Sequence, residues 1–153
     1  MPITNKDKEL MNKVFEDINE NKILAELQKE YDVFNLLTYN EYDVNEKLQY
    51  NPFHTEQFRL LSRDEKSKLL ELNNQLEAKR SEIYRYYKEE SGLSLNKSEI
   101  EKYYLPGNEE IQDLKRKIAE QETRVEFFDA LYEAFKNQGW QMKQFLQNLR
   151  EGY

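Results

Sequence analysis

Residues 111–135 read IQDLKRKIAEQETRVEFFDALYEAF, and the period of this stretch decides the fold. Its large side chains recur at alternating steps of three and four residues, which places them on one face of an α-helix. Such a face is typical of a coiled coil or a helical bundle. We call it the seam, and it consists of Ile111, Leu114, Ile118, Gln121, Val125, Phe128, Tyr132 and Phe135. Because Gln121 is the polar member, it is positioned to set the register against a partner helix.

Glycines and short apolar runs predict the rest of the helical pattern. Gly139 is expected to end the seam helix. A last short helix then folds back on the seam as an αα-hairpin, through Met142, Phe145, Leu146 and Leu149. Upstream, a long helix is predicted from about Thr55 to Ser91, with Gly92 placed to terminate it. The fold class is therefore all-α, with long helices, a coiled-coil-like seam and a C-terminal αα-hairpin.

The N-terminal part of the chain has a different pattern. A capping box near its start predicts a first helix over roughly residues 4–30. Residues 31–54 then lose the helical period, and Pro52 favours an extended residue before it. We interpret this segment as an ordered connector with at most a short helical turn.

The composition limits the class of protein. Hydrophobic types make up 38% and charged types 35% of the 153 residues, which suits long solvated helices whose apolar stripe is covered by a partner. There is no cysteine, and no apolar run approaches the roughly 20 residues that span a bilayer. The start of the chain, MPITNKDKEL, lacks the apolar core of a signal peptide. We therefore expect a soluble, cytoplasmic protein without membrane contact.

Catalysis has little support in the sequence. His54 is the only histidine, and no cysteine is available to pair with it. Thirty carboxylates produce many Asp and Glu pairs at helical spacing, so none of them points to a glycosidase or a metal site. Neither a Walker loop nor a GxGxxG turn is present. We expect no enzyme activity, no catalytic residue, no cofactor and no metal.

One short segment carries the chemistry of a nucleic-acid site. Lys79–Lys88, KRSEIYRYYK, contains four basic residues, three tyrosines and one glutamate in a chain of net charge -7. Arginine and lysine attract phosphates, and tyrosine rings stack on unpaired bases. The candidate nucleic-acid contacts are Lys79, Arg80, Tyr84, Arg85, Tyr87 and Lys88. Alternatively, the tyrosines pack in a core and the charges are merely solvated, as we also expect for the basic triplet at residues 115–117.

Residues 124–153, RVEFFDALYEAFKNQGWQMKQFLQNLREGY, resemble the C-terminal end of the UvsY-type recombination mediators of T4-like bacteriophages. That family has a VEYY-like start to an acidic-aromatic helix, a turn with basic, glycine and aromatic residues, a short helix and a terminal Arg and Gly. The corresponding features here are Val125–Phe128, Asn137–Trp140, Met142–Lys143 and Arg150–Gly152. Upstream, the tyrosines of Tyr86–Tyr87 followed by Gly92 are similar to the end of the family's long helix. Lys47–Phe58 is similar, more loosely, to its connector.

The resemblance extends over about residues 44–153, in the same order along the chain. The family carries basic residues one turn before the aromatic pair, at the positions of Ser81 and Ile83, where this chain is not basic. The resemblance implies two parts, an N-terminal helical arm and connector expected over residues 1–43, and an oligomerisation and single-stranded-DNA-binding domain expected over residues 44–153. The contacts to DNA are expected from the six residues named above.

The resemblance implies an accessory protein rather than a catalyst. Family members form ring-like homo-oligomers, bind single-stranded DNA and help to load a RecA-like recombinase onto strands covered by a single-stranded-DNA-binding protein. That activity serves phage recombination, replication and repair in the infected host cell. The oligomer is expected to use Ile111, Leu114, Ile118, Val125, Phe128, Tyr132 and Phe135. Two alternatives stay open, a helical scaffold or adaptor and an inhibitor of a host defence enzyme, both acting only through protein contacts.

Overall fold

The computed structural model describes residues 22–152, and every regular element in that range is helical. The elements are α1 (Lys22–Tyr31), α2 (Val33–Leu37), α3 (Val44–Arg85), a π-helical turn (Tyr86–Glu90), α4 (Lys97–Glu99), a second π-helical turn (Ile100–Tyr104) and α5 (Glu109–Arg150). The all-α class and the long helices are confirmed. Most of the helix expected over residues 4–30 lies outside the described residues, and α1 covers its last part. None of the helices between residues 22 and 152 is both long and apolar enough to cross a membrane.

The central unit of the chain comprises Asp64–Glu122. Within it α3 and α5 run antiparallel, since Gln121 donates to Glu65 near one end and Lys79 pairs with Glu110 near the other. The core between them consists of Leu76, Ile83, Ile111 and Ile118, with Leu69, Leu72, Tyr87, Leu105 and Leu114 packed against it. Both helices therefore bury the side on which their apolar residues recur every three or four positions.

The terminal unit is described over residues 22–63 and 123–152. Its core is largely aromatic and consists of Leu27, Val33, Phe58, Phe127, Phe128, Leu131 and Phe135. Leu27 comes from α1 and Val33 from α2, so the described part of the N-terminal arm packs in the same core as α3 and α5. A hydrogen bond from Ser62 to the Asp129 carboxylate joins the two long helices here.

The connector predicted over residues 31–54 is wrong in its second half, because α3 already begins at Val44. Asn40 and Asp43 form a reciprocal cap just before it. The Asn40 side chain accepts a hydrogen bond from the Asp43 N–H at 3.1 Å, and the Asp43 carboxylate accepts one from the Asn40 N–H at 2.7 Å. These bonds satisfy N–H groups that the start of a helix leaves unpaired.

Pro52 lies inside α3 although its ring removes one backbone donor. Asn51 beside it is buried, and its amide donates to the backbone oxygen of Phe135 on α5 at 2.9 Å. Val44 is also fully buried. These tertiary contacts offset a local cost of about 3 kcal/mol for proline within a helix. His54, expected in a connector, is therefore helical, and its ring packs 5.4 Å from that of Phe135.

The predicted C-terminal αα-hairpin is also wrong, because α5 continues without a break to Arg150. Gly139 does not end this helix. It is buried, and a Cβ atom built on it would lie 2.6 Å from the side-chain oxygen of Asn51. Glycine therefore lets α3 approach α5 closely within the terminal unit. Phe145, expected on a returning helix, instead packs 5.4 Å from the ring of Tyr39.

The seam packs within a single chain. Five of its seven apolar members are buried there, namely Ile111, Ile118, Val125, Phe128 and Phe135, while Leu114 and Tyr132 are half-buried. Gln121 is buried as well and donates to the backbone oxygen of Glu65 at 2.9 Å, which gives it a register-setting contact inside the central unit. A ring-like oligomer stays a prediction. If it used the seam, it would have to exchange these contacts for equivalent ones between chains.

Candidate nucleic-acid interface

The central unit has a groove of about 780 Å³ with an excess of basic side chains. The end of α3, the turn that follows it, α4 and the start of α5 all contribute to its walls. The basic lining residues are Arg80, Arg85, Lys88, Lys97 and Lys115, and the acidic ones are Glu77, Glu89 and Glu101. Five positive charges against three negative ones make the groove locally cationic in a chain whose net charge is -7. We call it the central groove.

Four of the six side chains expected to contact nucleic acid line the central groove, and these are Arg80, Tyr84, Arg85 and Lys88. Arg80, Tyr84 and Lys88 follow one another at steps of four residues, which aligns them along one side of the helix. Tyr84 is half-buried, so part of its ring is accessible from the groove. The segment therefore presents three cationic side chains and one tyrosine ring to a single concave surface.

The other two expected contacts, Lys79 and Tyr87, do not line this groove. The Lys79 ammonium forms ion pairs with Glu110 on α5 and with Glu82. Tyr87 follows buried Ile83 by four residues and packs on the core of the central unit. For Tyr87, the alternative that the tyrosines serve a core describes the packing better.

Two lining residues, Lys97 and Lys115, were not among the expected contacts. Lys115 belongs to the basic triplet on α5, and the other two members behave as the solvated face expected of them. Arg116 and Lys117 both hydrogen-bond the Asp113 carboxylate, which holds the pKa of that carboxyl below its usual range. Lys115 lies four residues after Ile111, so the two share one side of α5, and both line the groove, whereas Arg116 and Lys117 do not.

Lys97 reaches the groove because the loop after α3 is firmly folded. Gly92 ends the first π-helical turn with a φ of 73°, a left-handed conformation that glycine adopts without strain. Asn96 then caps α4 by accepting the Glu99 N–H at 2.9 Å. Ile100, three residues after Lys97, is fully buried and anchors the segment. Nothing in the local sequence indicates that this loop brings Lys97 beside α3.

The cations of the central groove differ in how they are paired. Arg80 lies 3.3 Å from the Glu77 carboxylate, and Lys97 lies 3.9 Å from that of Glu101. Within residues 22–152, no carboxylate comes within ion-pair distance of Arg85 or Lys115. The two existing pairs are exposed, where an ion pair is worth about 1 kcal/mol or less, so an incoming phosphate can displace them.

A second, smaller hollow of about 510 Å³ adjoins the first, and Ser81 and Arg85 line both. We call it the tyrosine recess, because Tyr86 and Tyr87 form part of its wall. Its charged lining is mainly acidic, with Glu82, Glu90 and Glu110 against Lys79 and Arg85. The two hollows therefore have opposite electrostatic character on either side of Arg85.

The side chains of the central groove match the chemical groups of a nucleic-acid strand. Phosphate oxygens match the guanidinium and ammonium donors of the central groove, and an unpaired base matches the accessible part of its one tyrosine ring, Tyr84. His54 belongs to the terminal unit, and among the described residues its buried Nδ1 has no hydrogen-bond partner. Comparisons of the chain with protein-family models, with curated proteins and with solved structures find no match.

Proposed function

We propose that this protein binds single-stranded DNA in the central groove and acts as a recombination mediator. One observation carries the binding half of this proposal: Arg80, Tyr84, Arg85 and Lys88 line one groove and are joined there by lysines from two other segments. Basic side chains that converge from separate parts of the chain are more specific than a charge run along one helix. They form a concave track for a phosphate backbone.

The groove favours weak and reversible binding by each copy of the protein. Three carboxylates line it beside five cations, and the whole chain carries a net charge of -7. A long stretch of DNA is therefore not coated indiscriminately. Several copies in one particle would multiply a small affinity through linkage.

The mediator half of the proposal is supported by the resemblance of residues 44–153 to UvsY-type proteins. In such a role the protein holds a strand that is covered by a single-stranded-DNA-binding protein and passes it to a RecA-like recombinase. A cationic groove partly occupied by its own carboxylates suits this task, since the strand must be released after it has been bound. Ring-like self-association would supply the several sites that one strand needs.

Replacing Arg85 and Lys115 together by alanine is expected to weaken binding of a labelled oligothymidylate about tenfold at low salt. Both side chains line the groove and neither has a carboxylate partner among residues 22–152, so the change removes phosphate contacts without freeing an internal charge. The slope of log affinity against log salt should become less negative by about 1.4, or about 0.7 for each lost contact. Fluorescence anisotropy over a salt series measures both quantities.

The matched control replaces Arg116 and Lys117 by alanine. It removes the same amount of charge, but from side chains of α5 that pair with Asp113 outside the groove. Binding should stay within about twofold of the unmodified protein. Equal losses of affinity in the two variants would mean that binding depends only on the overall charge of the protein. Undetectable binding by the unmodified protein at low salt would favour the scaffold or adaptor. If the unmodified protein does bind, a recombinase-loading assay on protein-covered DNA separates the mediator from a simple DNA binder.

Glu101→Gln is expected to strengthen binding of the same oligonucleotide about threefold at low salt. The Glu101 carboxylate lines the groove and pairs with Lys97, so its neutralisation frees one cation and removes one repulsive charge. Glu109→Gln is the control, because Glu109 is exposed in the same unit but does not line the groove. If Glu109→Gln strengthened binding as much as Glu101→Gln, the effect would not come from the groove.

A further inference from the structure

Tyr86 is the accessible tyrosine of the aromatic cluster that follows α3. Its side chain is 50% exposed and forms part of the tyrosine recess, next to Arg85. It begins the π-helical turn, in which the Ser91 N–H donates to the backbone carbonyl oxygen of Tyr86 at 2.8 Å. Turns of this kind are rare and are frequently found at functional sites.

The ring of Tyr86 is held in place by a row of other rings. Tyr87 meets it edge to face, with centroids 5.1 Å apart and an interplanar angle of 79°. Tyr87 in turn lies 4.5 Å from Tyr104 and packs on the core of the central unit. An edge-to-face pair leaves at least one face of Tyr86 uncovered by Tyr87. A ring that is already positioned loses little side-chain entropy when a flat partner stacks on it.

The charges around Tyr86 select what can stack there. Glu82, Glu90 and Glu110 line the recess, and its Lys79 is engaged by ion pairs with two of them. With three carboxylates against Lys79 and Arg85, this surface attracts a phosphate less than the central groove does, whereas an uncharged base is not disfavoured. The carboxylates can also accept hydrogen bonds from the amino groups of a base. On the other side of Arg85, the cationic groove attracts phosphate.

We infer that Tyr86 is a base-stacking platform for a bound single strand. The phosphates of the strand lie in the central groove and an unpaired base lies in the tyrosine recess, with Arg85 between them. This inference rests on the proposed function, because the strand must be in the groove for a base to reach the recess. It also predicts a preference for single strands. In a duplex the bases are stacked on one another and cannot turn out to Tyr86 without a cost in unstacking.

The test compares an oligothymidylate with a strand of the same length made of abasic nucleotides, by anisotropy at constant salt. Tyr86→Leu should weaken binding of the oligothymidylate by about fivefold or more, as expected for the loss of one stacked base. Tyr86→Phe keeps the ring and should bind normally. Tyr103→Leu is the matched control, since Tyr103 is 65% exposed but lines neither hollow. The abasic strand should bind the unmodified protein and Tyr86→Leu equally.

A second measurement does not depend on a loss of binding. Tyr86→Trp in a Trp140→Phe background carries tryptophan only at the platform, because Trp140 is the single tryptophan of the chain. Its fluorescence should be quenched by the oligothymidylate and not by the abasic strand.

Equal binding of the oligothymidylate by Tyr86→Leu and the unmodified protein would overturn the platform. It would do so even if the double replacement of Arg85 and Lys115 weakened binding and so supported the groove. The same conclusion would follow if Tyr86→Leu lost as much affinity for the abasic strand. If the unmodified protein bound neither strand, the proposed function would fail and the platform with it. Thermal unfolding followed by circular dichroism checks that each variant remains folded.

Discussion

Phe128→Ala is expected to lower the free energy of unfolding by about 3–5 kcal/mol, a large share of the 5–15 kcal/mol that typically stabilises a folded domain. Phe128 is fully buried in the core of the terminal unit. Its ring lies 5.4 Å from that of Tyr31, edge to face, and 5.2 Å from that of Phe127. Alanine would remove the ring and leave a cavity, because α1, α3 and α5 all contribute rings to this site and cannot all collapse into the space.

Urea unfolding followed by circular dichroism measures this effect, and Phe53→Ala is the control. Phe53 lies on α3 with 66% of its side chain exposed, so the same chemical change should cost about 1 kcal/mol or less. Similar losses in the two variants would contradict the burial of Phe128. The measurement also bears on the oligomer expected from the seam. A midpoint of unfolding that rises with protein concentration would show that self-association stabilises the fold, whereas a midpoint independent of concentration would mean that a single chain buries Phe128 by itself.

The sequence predicts the parts of the fold that depend on one helix at a time. The three-four period of residues 111–135 identifies the buried side of α5, and Gly92 correctly marks the end of the helical segment after α3. The period fails as a guide where a contact from another helix overrides a local preference. In the sequence, Pro52 favours an extended residue before it and Gly139 favours a helix end. Both nevertheless lie inside helices, and Asn51 is involved each time.

The candidate site shows the same division. Arg80, Tyr84 and Lys88 were identified because their spacing along one helix is readable in the sequence. Lys97 was missed because its position depends on the path of the loop after α3, which is fixed by buried side chains and caps distant from it in the chain. The sequence gives no reason to exclude Lys79, because its ion pair with Glu110 on another helix has no signature in either segment.

Gly139→Ala is expected to lower the free energy of unfolding by about 1–3 kcal/mol, although the same change stabilises an ordinary helix interior by about 1 kcal/mol. The added Cβ would lie 2.6 Å from the Asn51 side-chain oxygen and 3.3 Å from its Cγ, so the amide must move. That amide is buried and donates to the Phe135 oxygen at 2.9 Å and to Gln138 at 3.4 Å. Moving it gives up bonds worth more than the gain in helix propensity, since a buried donor left unpaired costs about 1–3 kcal/mol.

The sign of the effect should reverse when Asn51 is already alanine. In an Asn51→Ala background the methyl group at position 139 meets no amide, and the gain in helix propensity of about 0.5–1 kcal/mol should appear as added stability. Urea unfolding of the four proteins in this cycle measures the coupling between the two positions. A glycine that ended a helix in the left-handed conformation, as the sequence pattern suggests for Gly139, would give a loss of similar size in both backgrounds. The reversal is therefore specific to a continuous α5 held close to α3 at Asn51.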